Sequence, residues 1–211
     1  MQIDVATAIG AVTRSVQSLE HEGKPAKAVI ATRRYPTTPA DLWNAITNPD
    51  RIPRWFLPIR GEFFEGGSFQ LEGNAGGKIL KCVPEQALSV TWEYGGAVSW
   101  VHVTLTPDGD GTQLELEHIS PVGPHWDQFG PGAAGIGWDL LIALGLMLHL
   151  QTGAPVDPED AQAWPLTEQG KDFIAAASAA WAEAAIADGE DPQKAREAAE
   201  ACRKFYTGEQ G

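Results

Sequence analysis

Cysteine is scarce: Cys82 and Cys202 are the two in 211 residues, and they lie far apart. That excludes a disulfide-stapled scaffold, and their spacing fits no zinc motif, so free thiols in a reducing cytoplasm are expected. Basic residues are also few, 15 Lys and Arg against 28 Asp and Glu, giving a net charge of −13. Nucleic acid and anionic membrane attract basic surfaces, so neither is an expected partner. The first residues carry Asp4 and lack a basic start followed by an apolar core, so no secretory signal is read there. Low-complexity segments and internal repeats are missing too. The longest uninterrupted apolar run, Leu140–Leu148, falls far short of the ~20 residues that a bilayer span needs.

Enzyme signatures are equally thin. Gly73–Gly77 is Gly-rich, but no Gly-Lys-Ser/Thr follows to open a helix, so it is no phosphate loop. There is no G-x-S-x-G elbow and no H-E-x-x-H pair. His118, His125 and Asp127 match no metal spacing, so no metal and no other cofactor is expected.

What is present is a core. Apolar residues make up 43% of the chain, with 8 Trp. Gly135–Leu150 is nearly all apolar, without proline, and reads as a long buried helix. At about 100° per residue, Trp138, Leu141, Ile142, Gly145 and His149 share one face, with Leu140, Ala143, Leu146 and Met147 largely opposite. A helix apolar all round needs cover on both sides.

Before it, the chain reads as follows. Ile9, Val12, Val16 and Leu19 recur at helical spacing, which predicts an N-terminal helical arm over residues 4–20, with a strand through Val12–Val16 as the rival. Lys27–Tyr35 reads as a strand. Thr38 can cap a short helix with Pro39 in its first turn. From Pro58 to Ile119 short strands alternate with Gly-rich turns, the clearest being Asp108-Gly109-Asp110-Gly111. Leu114, Leu116 and His118 alternate with Gln113, Glu115 and Glu117, one apolar face and one wet, as in an antiparallel sheet covered on one side. Trp100 and His102 alternate away from Val101 and Val103, which points them outward as a contact surface. After Gly153, Thr167 and Asp191 cap two further helices with Ala-rich inner faces: Phe173, Ala177, Trp181 and Ala184 on one, Ala195, Ala198, Ala199, Cys202 and Phe205 on the other. Twelve acidic and five basic residues follow from Asp157 onward. These helices are expected near the second face of the long helix or across a cavity mouth as a lid, with a subunit interface as the alternative.

Four stretches in this order carry a resemblance: YPTTPADLWNAITNPDRIPRWFLP (35–58), GGKILKCVPEQALSVTWEY (76–94), GTQLELEH (111–118) and GIGWDLLIALGLMLHL (135–150). Over roughly residues 27–151 the chain resembles the START-like (SRPBCC, Bet v 1-like) helix-grip superfamily, in its branch of heat-shock ATPase activator homologues. The resemblance implies an α+β fold, a curved antiparallel sheet wrapped around a long helix with a cavity between them. It also implies small-molecule or lipid binding for many members, and chaperone stimulation and a stress response for a few. Trp43, Trp55, Trp92, His118 and Trp138 occupy family-pattern positions.

The expected organisation is an arm over 1–24, a helix-grip domain over 25–153 and a helical extension over 154–211. The expected function is binding of a small apolar or aromatic molecule by Trp55, Trp92, His118, Trp138, Leu141, Ile142, Gly145 and His149. A cavity enzyme of the cyclase or dehydratase kind, using His118 or Asp139 as acid or base, is one alternative. An interaction module for a chaperone, or for a second copy of the chain, is the other. His118 also has a structural reading, a core histidine bonded to its neighbours. Asp139 has one as an anion in the first turn of the long helix.

Overall fold

A computed structural model of the chain describes residues 3–209. It has an eight-stranded antiparallel sheet, with strand order β1-β2-β8-β7-β6-β5-β4-β3, in which β2 is Lys24–Tyr35, and a long helix: the α+β helix-grip class. The chain divides into two compact units, one comprising the residues up to Ala31, Pro121–Leu144 and Asp157 onward, the other Thr32–Ser120 and Gly145–Val156.

In the first unit, α1 (Val5–Gly10) is capped by the Asp4 carboxylate, which accepts from Thr7 N. The helical arm ends there. Val12–His21 is the strand β1, with Val12 and Val16 buried, so the strand reading prevails over the helical one. The physical reason lies in the spacing. Four residues is an even number, so it fits one strand face as well as one helix face, and the β-branched Val12, Thr13 and Val16 favour the strand.

The first unit also holds the short α6 (Pro158–Ala163), then α7 (Glu168–Ala187) and α8 (Pro192–Thr207), the last two capped by Thr167 and Asp191 as expected. α7 packs on β1 and on the first part of the long helix. Phe173, Ala177 and Trp181 are fully buried, and Ala195, Ala198 and Cys202 of α8 are buried as well. Phe205 departs from its expected inward position: it is 59% exposed, with its ring tilted against Phe129 and edge-on to Tyr206. Between β8 and the long helix the chain forms the short helix α3 (Pro124–Phe129).

The long helix runs from Gly132 to Thr152. It comprises α4 (Gly132–Trp138), a π-helical segment (Asp139–Gly145) and α5 (Leu146–Thr152). By length and composition it could cross a membrane. Its buried residues Ile136, Trp138, Asp139, Ile142, Ala143, Leu146 and His149 are those of a core helix. The π segment widens the winding, so faces drawn at 100° per residue do not carry through it. Ile142, Ala143 and Leu144 are buried in succession, whereas Leu141 and Gly145 are half-buried.

In the second unit, β3 (Ile59–Gly61), β4 (Ser68–Leu71), β5 (Gly76–Val83), β6 (Ala87–Tyr94), β7 (Ala97–Asp108) and β8 (Gly111–Pro121) form a meander of antiparallel neighbours. The β7–β8 turn pairs Asp108 with Gly111 around Gly109 at φ +60°, a conformation that glycine adopts without strain. That register sets Val101 opposite His118, Val103 opposite Leu116 and Leu105 opposite Leu114, all buried on one face. Trp100 and His102 lie on the other face, opposite Ile119 and Glu117. Trp100 is half-buried there, not exposed. α2 (Pro39–Thr47) is capped by Thr38, whose side chain accepts from Asp41 N. A 3-10 turn follows at Ile52–Arg54.

Candidate functional site

The inward wall of the second unit grows from two short turns. The Gly95-Gly96 hairpin pairs Tyr94 with Ala97 and therefore Trp92 with Ser99. The Asp108–Gly111 hairpin sets His118 opposite Val101, two residues along β7 from Ser99 and on the same face. The result is a chain of polar contacts on an aromatic surface. Ser99 Oγ–H donates to the Trp92 carbonyl at 3.0 Å, which uses its one proton. Its contact with His118 Nε2 at 2.8 Å is then one in which the imidazole N–H donates and the hydroxyl accepts. His118 is buried, and burial pushes its pKa down to about 4, so it is neutral at pH 7. The Trp92 ring meets His118 edge-on at 6.3 Å and lies 6.2 Å from Phe69. Phe69, Val90, Val101 and Leu116 are buried, whereas Trp92 and Leu88, inward on β6, remain half open.

A second centre in the same unit joins α2, the 3-10 turn and α5. Arg51 Nε donates to His149 Nε2 at 2.9 Å. Its Nη1 donates to the Asp41 carboxylate at 2.7 Å, to the Asp41 carbonyl at 3.1 Å and to Asn44 Oδ1 at 3.2 Å. Thr37 Oγ1 donates to the other Asp41 oxygen at 2.7 Å. Since guanidinium only donates, His149 is neutral with its proton on Nδ1. Burial, then the Arg51 and Arg54 cations, hold the His149 pKa below the ordinary imidazole value, against the Ala154 backbone and Asp41. Trp55 is half-buried, stacks on Phe56 and donates from Nε1 to the Ala45 carbonyl of α2 at 2.9 Å.

Asp139 sits in the first unit, and its surroundings differ from both sequence readings. The helix begins seven residues earlier, at Gly132, so Asp139 is not in the first turn and gains nothing from the dipole there. Instead Arg14 of β1 grips it with two parallel bonds, Nε to Oδ2 and Nη2 to Oδ1, each 3.0 Å. Trp181 Nε1 of α7 donates to Oδ2 at 2.8 Å. Arg14 Nη1 donates further to the Ile9 and Val12 carbonyls. Burial pushes the Asp139 carboxyl up, while Arg14 and the Trp181 N–H pull it back. A carboxylate with both oxygens so engaged is an anchor joining α7, the long helix and β1. The Trp181 ring rests on the helix where Gly135 has no side chain: a Cβ there would lie 2.3 Å from the ring.

Of the expected ligand-binding residues, Trp55, Trp92, His118, Gly145 and His149 belong to the second unit, and Trp138, Leu141 and Ile142 to the first. Trp92 and His118 come into contact. Trp55 and His149 share the α2 neighbourhood through Ala45 and, by way of Arg51, Asp41. Trp138 and Ile142 are buried and Leu141 is half-buried. The sequence reading missed Phe69, Ser99, Arg51, Arg14 and Trp181 as partners. Ser99 was reachable by counting back from the Gly95-Gly96 turn. Arg14 and Trp181 stand 125 and 42 residues from Asp139 and had no local signal.

Comparison with known proteins gives consistent matches. The family model described as "Activator of Hsp90 ATPase homolog 1-like protein" matches residues 36–140. The crystal structure of CalU16 from Micromonospora echinospora is 34% identical, covers 79% of this chain and 98% of its own, and superposes with a TM-score of 0.60. Its solution structure gives 31% identity, 85% and 97% coverage, and a TM-score of 0.69. DynU16, a protein of the dynemicin biosynthetic locus, is similar at 23% identity, with 61% and 48% coverage and a TM-score of 0.55. PFC0360w, an Hsp90 activator from Plasmodium falciparum, shares the fold at 20% identity, with 61% and 97% coverage and a TM-score of 0.51. No curated protein sequence matches the chain.

Proposed function

Because the chain belongs to the Activator of Hsp90 ATPase homolog 1-like family, a branch of the SRPBCC helix-grip superfamily, we propose that it binds a small, uncharged apolar or aromatic molecule on the wall formed by Phe69, Leu88, Trp92 and His118. The observation that carries this reading is the incomplete cover of Trp92 and Leu88. Their neighbours Val90 and Val101 on the same face are sealed. An inward tryptophan left half open is apolar area that a ligand can take from water, at roughly 25 cal/mol per Å². His118 is neutral at pH 7 and its Nε2–H is committed to Ser99, so the wall offers no charge to an ionic ligand. Few placed polar groups on an apolar surface are the usual make-up of such sites.

Native mass spectrometry of gently purified protein tests the proposal. A retained small-molecule mass, lost in Trp92→Ala while the fold persists, is the expected result. A protein that carries no such mass and binds none of a panel of neutral aromatic probes would sink it.

A second reading, contact with a chaperone or with a second copy of the chain, draws on exposed apolar residues of the second unit, Phe64, Leu80 and Tyr94. It predicts stimulation of an Hsp90-type ATPase or concentration-dependent dimerisation. Loss of that effect in Phe64→Ser with probe binding intact would separate the two readings.

A further inference from the structure

The Arg51–His149 contact holds more than two side chains. α5 ends at Thr152, and the chain turns back through Gly153 in the left-handed conformation at φ +65°. Three bonds tie this returning segment and the end of the helix to the 3-10 turn: Arg51 Nε to His149 Nε2, Arg54 Nη2 to the Gly153 carbonyl, and Val156 N to the Arg54 carbonyl at 2.8 Å. Two of the three come from arginine side chains, and one of those depends on a neutral imidazole.

We infer that Arg51 and His149 form an acid-released clip, in which protonation of His149 detaches the end of α5 and residues 153–156 from the 3-10 turn. The chemistry follows from donor counting. A neutral His149 offers Nε2 as an acceptor. An imidazolium carries N–H on both nitrogens, so Nε2–H would face Arg51 Nε–H at 2.9 Å, donor against donor and cation against cation. The charged groups facing His149 are Arg51 and Arg54 from the turn and Asp41 from α2. The Asp41 carboxylate is already engaged by Arg51 Nη1 and Thr37 Oγ1, which limits its use as a counter-ion. His149 itself is 3% exposed, so the proton reaches it when the segment opens.

The sign follows. His149 is held below the ordinary imidazole pKa in the closed state. The released state therefore binds the proton more tightly, and release is favoured as pH falls below about 6.5. Above that pH the clip keeps its full stability.

The test is amide-proton protection by NMR on the full chain between pH 7.5 and 5.0. The amides of Gly153, which donates to the His149 carbonyl, and of Val156, which donates to the Arg54 carbonyl, report the clip. Their protection factors should fall by up to about tenfold per pH unit below 6.5, with β7 amides unchanged. In His149→Gln, whose side-chain oxygen can accept from Arg51 at every pH, they should stay level. Imidazole nitrogen shifts of the wild type give an independent reading: the Nδ1–H tautomer at pH 7.5. Protection that does not change with pH, equal losses in His149→Gln, or an Nε2–H tautomer would each overturn the clip.

Discussion

Replacing His118 should remove a defined part of the acid sensitivity of the fold. In the folded state burial holds its pKa at about 4, and in the unfolded chain it returns to 6.5. The unfolded state therefore binds the extra proton between these values, and stability falls as pH drops from above 6.5 towards 4. A difference of about 2.5 pKa units corresponds to roughly 3 kcal/mol in full, and about 2 to 3 kcal/mol of it is gone by pH 4.5. For a domain whose total stability is on the order of 5–15 kcal/mol, that is a large fraction. The assay is urea unfolding of the wild type and His118→Gln at pH 7.5 and 4.5. Glutamine keeps a donor for Ser99 Oγ and cannot titrate. His149 and the carboxylates contribute to both proteins and cancel in the comparison. The wild type should lose about 2 to 3 kcal/mol more than the variant on acidification. Equal losses would mean that His118 is solvated or charged in the folded protein, and the Ser99–His118 assignment would fail with it.

Two further predictions concern the anchor in the first unit. Asp139→Asn leaves the Arg14 guanidinium buried without its counter-charge and should cost about 3–5 kcal/mol in urea unfolding, whereas the double variant Arg14→Met, Asp139→Leu should recover most of that loss. Gly135→Ala should destabilise by about 1–3 kcal/mol despite alanine's better helix propensity, because its Cβ would collide with the fully buried Trp181 ring; Trp181→Leu in the same chain should relieve the clash.

The sheet was legible wherever two-residue turns fixed the register. Asp108–Gly111 and Gly95-Gly96 determine which residues face each other across β6, β7 and β8, so His118 could be placed on the inward face from alternation alone. The helix caps Thr38, Thr167 and Asp191 were equally readable, because a cap is a local bond over two or three residues. Residues 12–21 were harder, since Val12 and Val16 satisfy both periods at once. The partner of Asp139 was out of reach. A charge in an apolar helix announces that something must pair with it, but which of 15 Lys and Arg does so is decided by tertiary packing across 125 residues. The π segment had no local signal either, and it is why the single helical face drawn from Trp138 to His149 does not survive as one stripe.

The most direct test of ligand binding on the wall reads the indole N–H resonances of the 8 tryptophans while a neutral aromatic probe such as 2-naphthol is added. The Trp92 resonance should move most. That of Trp181, sealed and bonded to Asp139, should stay in place. An unmoved Trp92 at saturating probe, or shifts confined to Trp181 and its neighbours, would contradict the account.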